Sequence, residues 1–235
     1  MGPMTITFIT GANKGLGRET ARRLVGLGHT VLLGARDVAA GTAAAEEVGA
    51  RFVRIDVTDD GSVAAAAADV ERHEGVVDVL INNAGVHGPM GDPDALTGDD
   101  VLRVLDVNVA GVVRTTSAFL PLLRRSADPV VINVSSAMGS LAATHDPSRA
   151  ESKVVAPAYT ASKAALTMLT TQYAKGLPGI RINAADPGYT ATDLNGNSGP
   201  QTVTEGTDAI VGLATEGNGH GTGRFVDRDG EITWS

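Results

Sequence analysis

A tyrosine and a lysine stand four residues apart in the segment Tyr159-Thr160-Ala161-Ser162-Lys163, a pairing that can transfer protons. On a helix, residues at positions i and i+4 share one face, so the phenol and the ammonium would lie side by side. Tyrosine ordinarily titrates at a pKa near ~10, and an adjacent positive charge favours the phenolate. The spacing therefore predicts a proton donor whose pKa the lysine lowers toward neutrality. A surface pair without chemistry has the same spacing, so the choice depends on the rest of the sequence.

Short β-branched runs alternate with longer alanine-rich amphipathic stretches, a pattern typical of repeated βα units. Strands are predicted at residues 5–10, 30–33, 51–55, 77–81, 130–134, 180–184 and 223–226. Helices are predicted at residues 15–27, 38–48, 61–73, 98–125, 158–177 and 204–214. The alternation predicts one α/β domain over residues 1–235, with helices on both faces of a Rossmann-type, doubly wound, seven-stranded parallel sheet of order 3-2-1-4-5-6-7.

The segment after the first predicted strand is rich in glycine and opens the first predicted helix. Gly11 permits a tight turn, Gly15 lets the backbone approach a pyrophosphate, and Gly17 allows close contact between helix and strand. Unpaired N–H groups at a helix N-terminus favour an anion. The segment therefore predicts a dinucleotide phosphate loop, with a plain βα turn as the alternative. Its proposed cofactor contacts are Gly11, Asn13, Lys14, Gly15, Leu16 and Gly17.

The residues after the second and third predicted strands indicate which nucleotide is bound. Arg36 stands where sites that prefer NAD commonly carry an acidic residue for the ribose 2′-hydroxyl. A guanidinium there, together with Lys14, suits a 2′-phosphate and favours NADP(H); the alternative is a solvated charge at a helix start. Asp56, followed by Val57, is placed to accept a hydrogen bond from the adenine amino group, or to cap the next helix.

Four further motifs follow the later predicted strands in a set order. They are Asn82-Asn83-Ala84-Gly85, Asn108, Ser135-Ser136, and Tyr159 with Lys163. Together with the glycine loop, this ordered set resembles the classical short-chain dehydrogenases/reductases over essentially the full chain. The Asn13-Lys14 form of the loop, and Pro157-Ala158 before the tyrosine, look most like the carbonyl-reductase branch of that family.

The resemblance implies a role for each of these residues. Tyr159 would exchange a proton with the carbonyl oxygen, and Lys163 would lower the tyrosine pKa and bind the nicotinamide ribose. Ser136 would polarise the carbonyl, with Ser135 as the competing choice. Asn108 would hold a water that connects Lys163 to solvent, or else form a kink or a packing hydrogen bond. The backbone and side chains of Asn83, Ala84 and Gly85 would face the adenosine ribose, unless they form only a turn at the strand end.

The stretch Asp186-Pro187-Gly188-Tyr189-Thr190-Ala191-Thr192 follows the sixth predicted strand and resembles the part of the family that holds the nicotinamide carboxamide. Pro187, Gly188, Thr190 and Thr192 are the expected cofactor contacts, although Pro-Gly is also a common turn. Asp186 would lie near the cofactor or cap the turn. Residues 143–155 are longer and more polar than in compact family members, so they would shape the substrate pocket or obstruct dimerisation.

Composition excludes several classes of function. A net charge of −8 lacks the basic surface that nucleic acid requires, and the chain contains no cysteine for disulfides or thiolate metal sites. The five histidines show no metal-ligand spacing, and only His87 and His145 fall in segments expected near the site. With no apolar run of bilayer length and no leader pattern, we expect a cytoplasmic protein without membrane contact. The sequence leaves monomer, dimer and larger homo-oligomer open.

These observations predict an oxidoreductase that transfers hydride between NADP(H) and a small or medium carbonyl or alcohol. Within enzymes, reduction of 3-oxoacyl thioesters on a carrier protein is the rival, although an acidic chain offers no clear docking patch. A catalytically silent NADP sensor would need the glycine loop but not Ser136, Tyr159 and Lys163. A methyltransferase with a similar loop would leave the Tyr-Lys pair unexplained.

Overall fold

The structure, a computed structural model, describes residues 4–217 and 219–234. Its strands are β1 Ile6–Ile9, β2 Thr30–Ala35, β3 Arg51–Arg54, β4 Val79–Asn82, β5 Val130–Val134, β6 Arg181–Ala185, β7 Phe225–Asp227 and β8 Gly230–Glu231. Its α-helices are α1 Gly15–Gly26, α2 Val38–Val48, α3 Asp60–His73, α4 Gly98–Leu105, α5 Gly111–Leu123, α6 Leu141–His145, α7 Pro157–Gly176, α8 Val203–Gly206 and α9 Asp208–Thr215. The predicted absence of a leader concerns in part residues 1–3, which lie outside the described residues.

The strands form one sheet of order β3-β2-β1-β4-β5-β6-β7-β8. The first seven strands pair in parallel in the predicted order, and β8 pairs antiparallel with β7. The prediction of seven strands was therefore short by one, because two residues after a turn carry no periodicity to detect. The tail beyond β8 packs on the sheet, where the ring of Trp234 stacks on Phe225 at 5.1 Å.

Both faces of the sheet are buried, which explains why its strands are continuously apolar. Along β1, Phe8 points into the cluster formed with α3 and α5, and Ile9 points into the cluster formed with α1, α2 and α9. Phe8 contacts Phe119 of α5 with ring centroids 4.5 Å apart. Alternate side chains thus enter opposite cores, as expected for a parallel sheet covered by helices on both sides.

Two predicted helices are interrupted in the structure. The helix expected at residues 98–125 is divided into α4 and α5 by a π-helical segment, Asp106–Ala110, and ends at Leu123. The helix expected at residues 204–214 is divided into α8 and α9. Between β5 and α7, the inserted segment contains α6 and a 3-10 turn, Ala150–Lys153. No helix of the described residues is long and apolar enough to cross a bilayer.

Candidate functional site

The predicted site segments meet at one edge of the sheet. In parallel strands the carboxyl ends lie together, and ligands of doubly wound sheets bind outside that edge. The glycine loop follows β1, Arg36 follows β2 and Asp56 follows β3. The segments 83–85, 135–136 and 186–192 follow β4, β5 and β6, and α7 carries Tyr159 and Lys163. Because each of these segments follows a strand, the sheet sets where the segment begins.

Close approach of backbone segments explains two glycines of the loop after β1. Gly11 has φ +62, and a Cβ added there would lie 2.8 Å from Ala84 Cα. A Cβ on Gly17 would lie 2.5 Å from Asn83 Nδ2 and 2.7 Å from the Gly11 carbonyl oxygen. These positions accept no larger side chain without movement of the backbone. Asn13 and Leu16 lie partly exposed in the same turn.

The turn after β4 braces the glycine loop. Asn83 Nδ2 donates to the carbonyls of Thr10 at 2.8 Å and Gly11 at 3.0 Å, and the backbone N–H groups of Asn83 and Ala84 donate to Thr10 Oγ1. The amide of Asn83 is therefore used inside the protein. Gly85 faces the other way, since a Cβ added to it would lie 4.0 Å from Lys163 Nζ.

Arg36 and Lys14 are the two cations that the sequence analysis assigned to a 2′-phosphate. Arg36 is exposed directly after β2, and its charge helps to lower the pKa of Asp56. The main cause of that lowering is the Thr58 hydroxyl, which donates to Asp56 Oδ1 at 2.7 Å. Asp56 does not cap α3, because Asp59 accepts the hydrogen bond from Ser62 N that forms the cap. Lys14 of the glycine loop forms an ion pair with Asp193, which follows β6, with Nζ and Oδ2 3.5 Å apart.

Tyr159 and Lys163 lie one turn apart on α7, as predicted. Lys163 is buried with 6% of its surface exposed, and its Nζ lies 5.5 Å from the centroid of the Tyr159 ring. The ammonium donates to the Val134 carbonyl at the end of β5 at 2.7 Å. This contact anchors the lysine on the sheet.

The electrostatics differ from the sequence prediction. Burial raises the pKa of Tyr159, the charge of Asp186 raises it further, and a hydrogen bond with Ser136 opposes both. Burial lowers the pKa of Lys163 to about 8, against the opposing effect of Asp186. The expectation that Lys163 draws the Tyr159 pKa toward neutrality was wrong for this structure, because burial and the charge of Asp186 raise that pKa.

The two serines after β5 point in different directions. Ser135 is buried, and its Oγ lies 3.2 Å from Thr167 Oγ1 of α7. Ser136 lies close enough to the Tyr159 hydroxyl to lower its pKa, and its Oγ accepts from Met138 N at 3.2 Å. The turn that carries Ser136 packs tightly on α7, because a Cβ on Gly139 would lie 2.6 Å from the backbone of Lys163. Ser136 therefore shares the site with the tyrosine and Ser135 does not.

Asn108 lies in the π-helical segment, a type of irregularity that often occurs at functional sites. Its Oδ1 accepts from Val86 N at 2.9 Å, and its Nδ2 donates to the Val86 carbonyl and to Ser162 Oγ, each at 2.9 Å. Ser162 in turn donates to the Tyr159 carbonyl at 2.7 Å. The side chain of Asn108 thus forms packing hydrogen bonds, one of the two alternatives to a water-holding role.

Two residues near the tyrosine had no predicted role, although the sequence analysis expected His87 near the site. His87 contacts the Tyr159 ring edge to face, with centroids 5.0 Å apart at 78°, and burial with the Lys163 charge lowers the pKa of His87. Its position two residues after the Asn-Asn-Ala-Gly motif was the available signal. Ser162 could have been identified because it lies between Tyr159 and Lys163 in the sequence. Among the described residues, no cluster of histidine and acidic side chains could hold a metal ion.

The loop after β6 closes the other side of the site. Thr190 donates to the Pro187 carbonyl at 2.8 Å, and Thr192 N donates to Asn195 Oδ1 at 3.1 Å. Both threonines are buried, and a Cβ on Gly15 would lie 3.8 Å from Thr192 Cβ. The loop therefore approaches the glycine loop at Thr192, whereas the Thr190 hydroxyl bonds within its own loop.

The arrangement fits a dinucleotide. The N-terminus of α1 has no side-chain cap and no acidic residue in its first turn, so its N–H groups are available to an anion. The loop before this helix packs closely on the turn after β4 at Gly11 and on its own backbone at Gly17, and Arg36 stands exposed at the adjacent strand end. A phosphate-bearing ligand along this edge would extend toward Ser136, Tyr159 and Lys163.

Comparison with known proteins gives a consistent picture. The family model described as short chain dehydrogenase matches residues 5–202. Short-chain dehydrogenase anuI of Penicillium roqueforti (strain FM164) is 35% identical, with 91% of this chain and 89% of the relative covered. (+)-Neomenthol dehydrogenase of Capsicum annuum is 29% identical, with 96% of each covered. The structure of NADPH bound carbonyl reductase from chicken fatty liver matches with a TM-score of 0.87 at 28% identity, over 99% of both chains.

Proposed function

This chain belongs to the short chain dehydrogenase family, and we propose that its reaction is the NADPH-dependent reduction of a small or medium carbonyl compound. One observation carries the proposal: Ser136, Tyr159 and Lys163 converge beside an uncapped helix N-terminus at one edge of the sheet. A purely structural turn would need neither a buried lysine nor a phenol directed at a serine.

A bound dinucleotide would supply the hydride, and side chains of the site would supply the proton and stabilise the developing negative charge. Tyr159 holds a proton for the carbonyl oxygen, since a phenol is protonated at neutral pH. Ser136 donates a second hydrogen bond to the same oxygen, where negative charge develops. Lys163, held by the Val134 carbonyl, keeps a positive charge beside the tyrosine.

The surroundings of the site support an apolar substrate of limited size. Large apolar side chains are exposed on the three segments that follow β4, β5 and β6: Val86, Met90, Leu141, Val154, Val155, Tyr189 and Leu194. The segments contact one another, since Gly91 N donates to the Val155 carbonyl at 2.8 Å. An apolar rim with a few convergent polar groups is typical of small-molecule sites. A marked preference for long-chain or sterol substrates would contradict the proposed size.

The direct test is the decay of NADPH absorbance with a panel of aldehydes, ketones and diketones. We expect turnover of apolar aldehydes or ketones, and slower turnover with NADH. Tight NADPH binding together with silence across the panel would instead favour a nucleotide sensor of the same fold. The measurement therefore separates an enzyme from a binding protein that retains the glycine loop.

Arg36→Asp is expected to weaken NADPH binding by about 10- to 100-fold, because a charge-assisted hydrogen bond contributes about 1.5–3 kcal/mol. NADH binding should change far less, since NADH has no 2′-phosphate. Titration of nucleotide fluorescence measures both affinities. Arg124→Asp is the control, because Arg124 is exposed at the end of α5, close to the amino ends of the strands. Equal losses for both nucleotides would contradict the assignment to Arg36.

The neighbouring serines offer a matched pair of variants. Ser136→Ala is expected to lower kcat by about 10²-fold, the usual effect of removing one donor to a developing oxyanion. Ser135→Ala should leave kcat nearly unchanged and cost about 1 kcal/mol of unfolding free energy, because only the contact with Thr167 is lost. Steady-state kinetics and thermal unfolding distinguish the two. A larger kinetic effect at Ser135 would reverse the assignment.

A further inference from the structure

Asp186 is a buried carboxyl at the candidate site that the proposed reaction does not use. It follows β6 directly, with 6% of its surface exposed. A buried carboxylate is costly unless donors and cations compensate its charge. The donors and charges around Asp186 therefore indicate the role of its carboxylate.

The carboxylate connects two turns of the site. It accepts a hydrogen bond from Gly188 N, at 3.0 Å from Oδ1, and the backbone N–H of Ala137 lies close enough to lower its pKa. Gly188 belongs to the turn expected to hold the nicotinamide, and Ala137 follows the carbonyl-polarising Ser136. The backbone N–H of Asp186 donates to the Val226 carbonyl at 2.8 Å, which fixes the residue to the neighbouring strand.

The lysine of the site lies next to the same strand ends. Lys163 Nζ binds the Val134 carbonyl, and Val134 is the register partner of Ala185 on β6. Asp186 is the next residue after Ala185, and its charge acts on both Lys163 and Tyr159. The negative charge and the ammonium thus both lie at the carboxyl ends of β5 and β6.

We infer that Asp186 is a positioning residue that joins the Ser136 turn to the Pro187-Gly188 turn and places a negative charge opposite the Lys163 ammonium; its catalytic consequence rests on the proposed function. Asp186 itself transfers no proton. It acts by holding the turns of the site in place and by stabilising the charged form of Lys163.

The other charges that face Asp186 come from three elements. Lys163 and Tyr159 lie on α7, Arg149 and Glu151 lie in the inserted segment, and Asp227 lies on β7. Burial raises the pKa of Asp186, Glu151 and Asp227 act in the same direction, and the N–H groups of Gly188 and Ala137 oppose them. Since the lysine pKa is about 8, loss of the Asp186 charge would bring deprotonation of Lys163 into the neutral range.

The test uses Asp186→Asn, which removes the charge and keeps the shape of the side chain. The chain contains only four lysines, so ¹³C labelling of the lysine ε-carbons gives a simple spectrum in the full chain. We expect the Lys163 signal, assigned with Lys163→Arg, to titrate about 1 pH unit lower in Asp186→Asn. Asp227→Asn is the matched control, because it removes the same charge one strand away, and it should shift the signal by less than about 0.2 unit.

Activity provides the second readout. In Asp186→Asn, kcat should fall by about tenfold at pH 8 and recover toward the wild-type value as the pH is lowered and Lys163 regains its proton. NADPH affinity should stay within about threefold. A purely structural role would lower activity equally at every pH. An unchanged titration of Lys163 in a folded Asp186→Asn protein would overturn the inference.

The two proposals can fail separately. A wild-type chain that reduces no carbonyl would refute the proposed function, while the lysine titration would still report on Asp186. Should Asp186→Asn fail to fold, the reciprocal measurement decides: the pKa of Asp186, followed by its ¹³Cγ signal, should rise by about 1 unit or more in Lys163→Met. An unchanged Asp186 signal in that variant would overturn the inference equally.

Discussion

Replacing Tyr159 with phenylalanine is expected to lower kcat for carbonyl reduction by about 10²- to 10⁴-fold, the range contributed by a positioned proton donor. The ring would still contact His87 and lie beside Lys163, so the fold and NADPH affinity should be retained. Steady-state kinetics and nucleotide titration measure the two quantities. The variant removes only the oxygen that interacts with Ser136, and its loss of activity would therefore report on the proton.

Tyr189→Phe is the control for this experiment. Tyr189 is exposed on the loop after β6, and its hydroxyl lies 2.7 Å from Ser198 Oγ. Loss of that contact should change kcat by less than about threefold, as for most surface substitutions. Retention of most wild-type activity by Tyr159→Phe would refute the catalytic assignment, and a comparable loss in Tyr189→Phe would show that the effect is not specific to the site.

Gly17→Ala is expected to weaken NADPH binding by at least about tenfold and to destabilise the fold by about 1–3 kcal/mol, because overpacking forces a backbone shift. The added Cβ would lie 2.5 Å from Asn83 Nδ2, 2.7 Å from the Gly11 carbonyl oxygen and 2.8 Å from Ala12 Cα. Relief of these contacts must move the turn that faces the N-terminus of α1. Nucleotide titration and thermal unfolding measure the two effects.

The same helix provides the control. Gly26 ends α1, and a Cβ added there would meet nothing within 4 Å. Gly26→Ala should leave NADPH binding unchanged and should stabilise the chain by up to about 1 kcal/mol, since alanine favours the helix. If Gly17→Ala bound NADPH as tightly as Gly26→Ala, the glycine loop would not form the phosphate site.

The distribution of apolar residues predicted most of the fold. In a sheet covered on both faces the strands are continuous apolar runs, so their positions and parallel order follow from the pattern and from the handedness of βα units. Short and irregular elements carry no such pattern. For this reason β8 was missed, and so was the π-helical break around Asn108, which depends on hydrogen bonds with Val86, 22 residues away.

Residue spacing identified the members of the site but not their environments. Gly11, Gly17, Ser136, Tyr159 and Lys163 were all expected at the carboxyl edge of the sheet, because each follows a strand or lies on the helix after one. The sequence left Ser135 and Ser136 as competing choices, since adjacent residues differ only in direction. The structure separates them, because Ser135 faces Thr167 and Ser136 faces Tyr159.

The family, the sheet order through β7 and the side chains available for chemistry could all be predicted from the sequence, since these depend on local pattern and on motifs kept in order. The electrostatics of those side chains depend on the folded chain. Burial raises the pKa of Tyr159, whereas the spacing of the two residues predicted that this pKa is lowered. Burial also lowers the pKa of Lys163, and folding brings the charge of Asp186 near both residues. The physical reason is that desolvation and charge act between segments from β5, β6 and α7, which are distant in sequence and meet only in the folded chain.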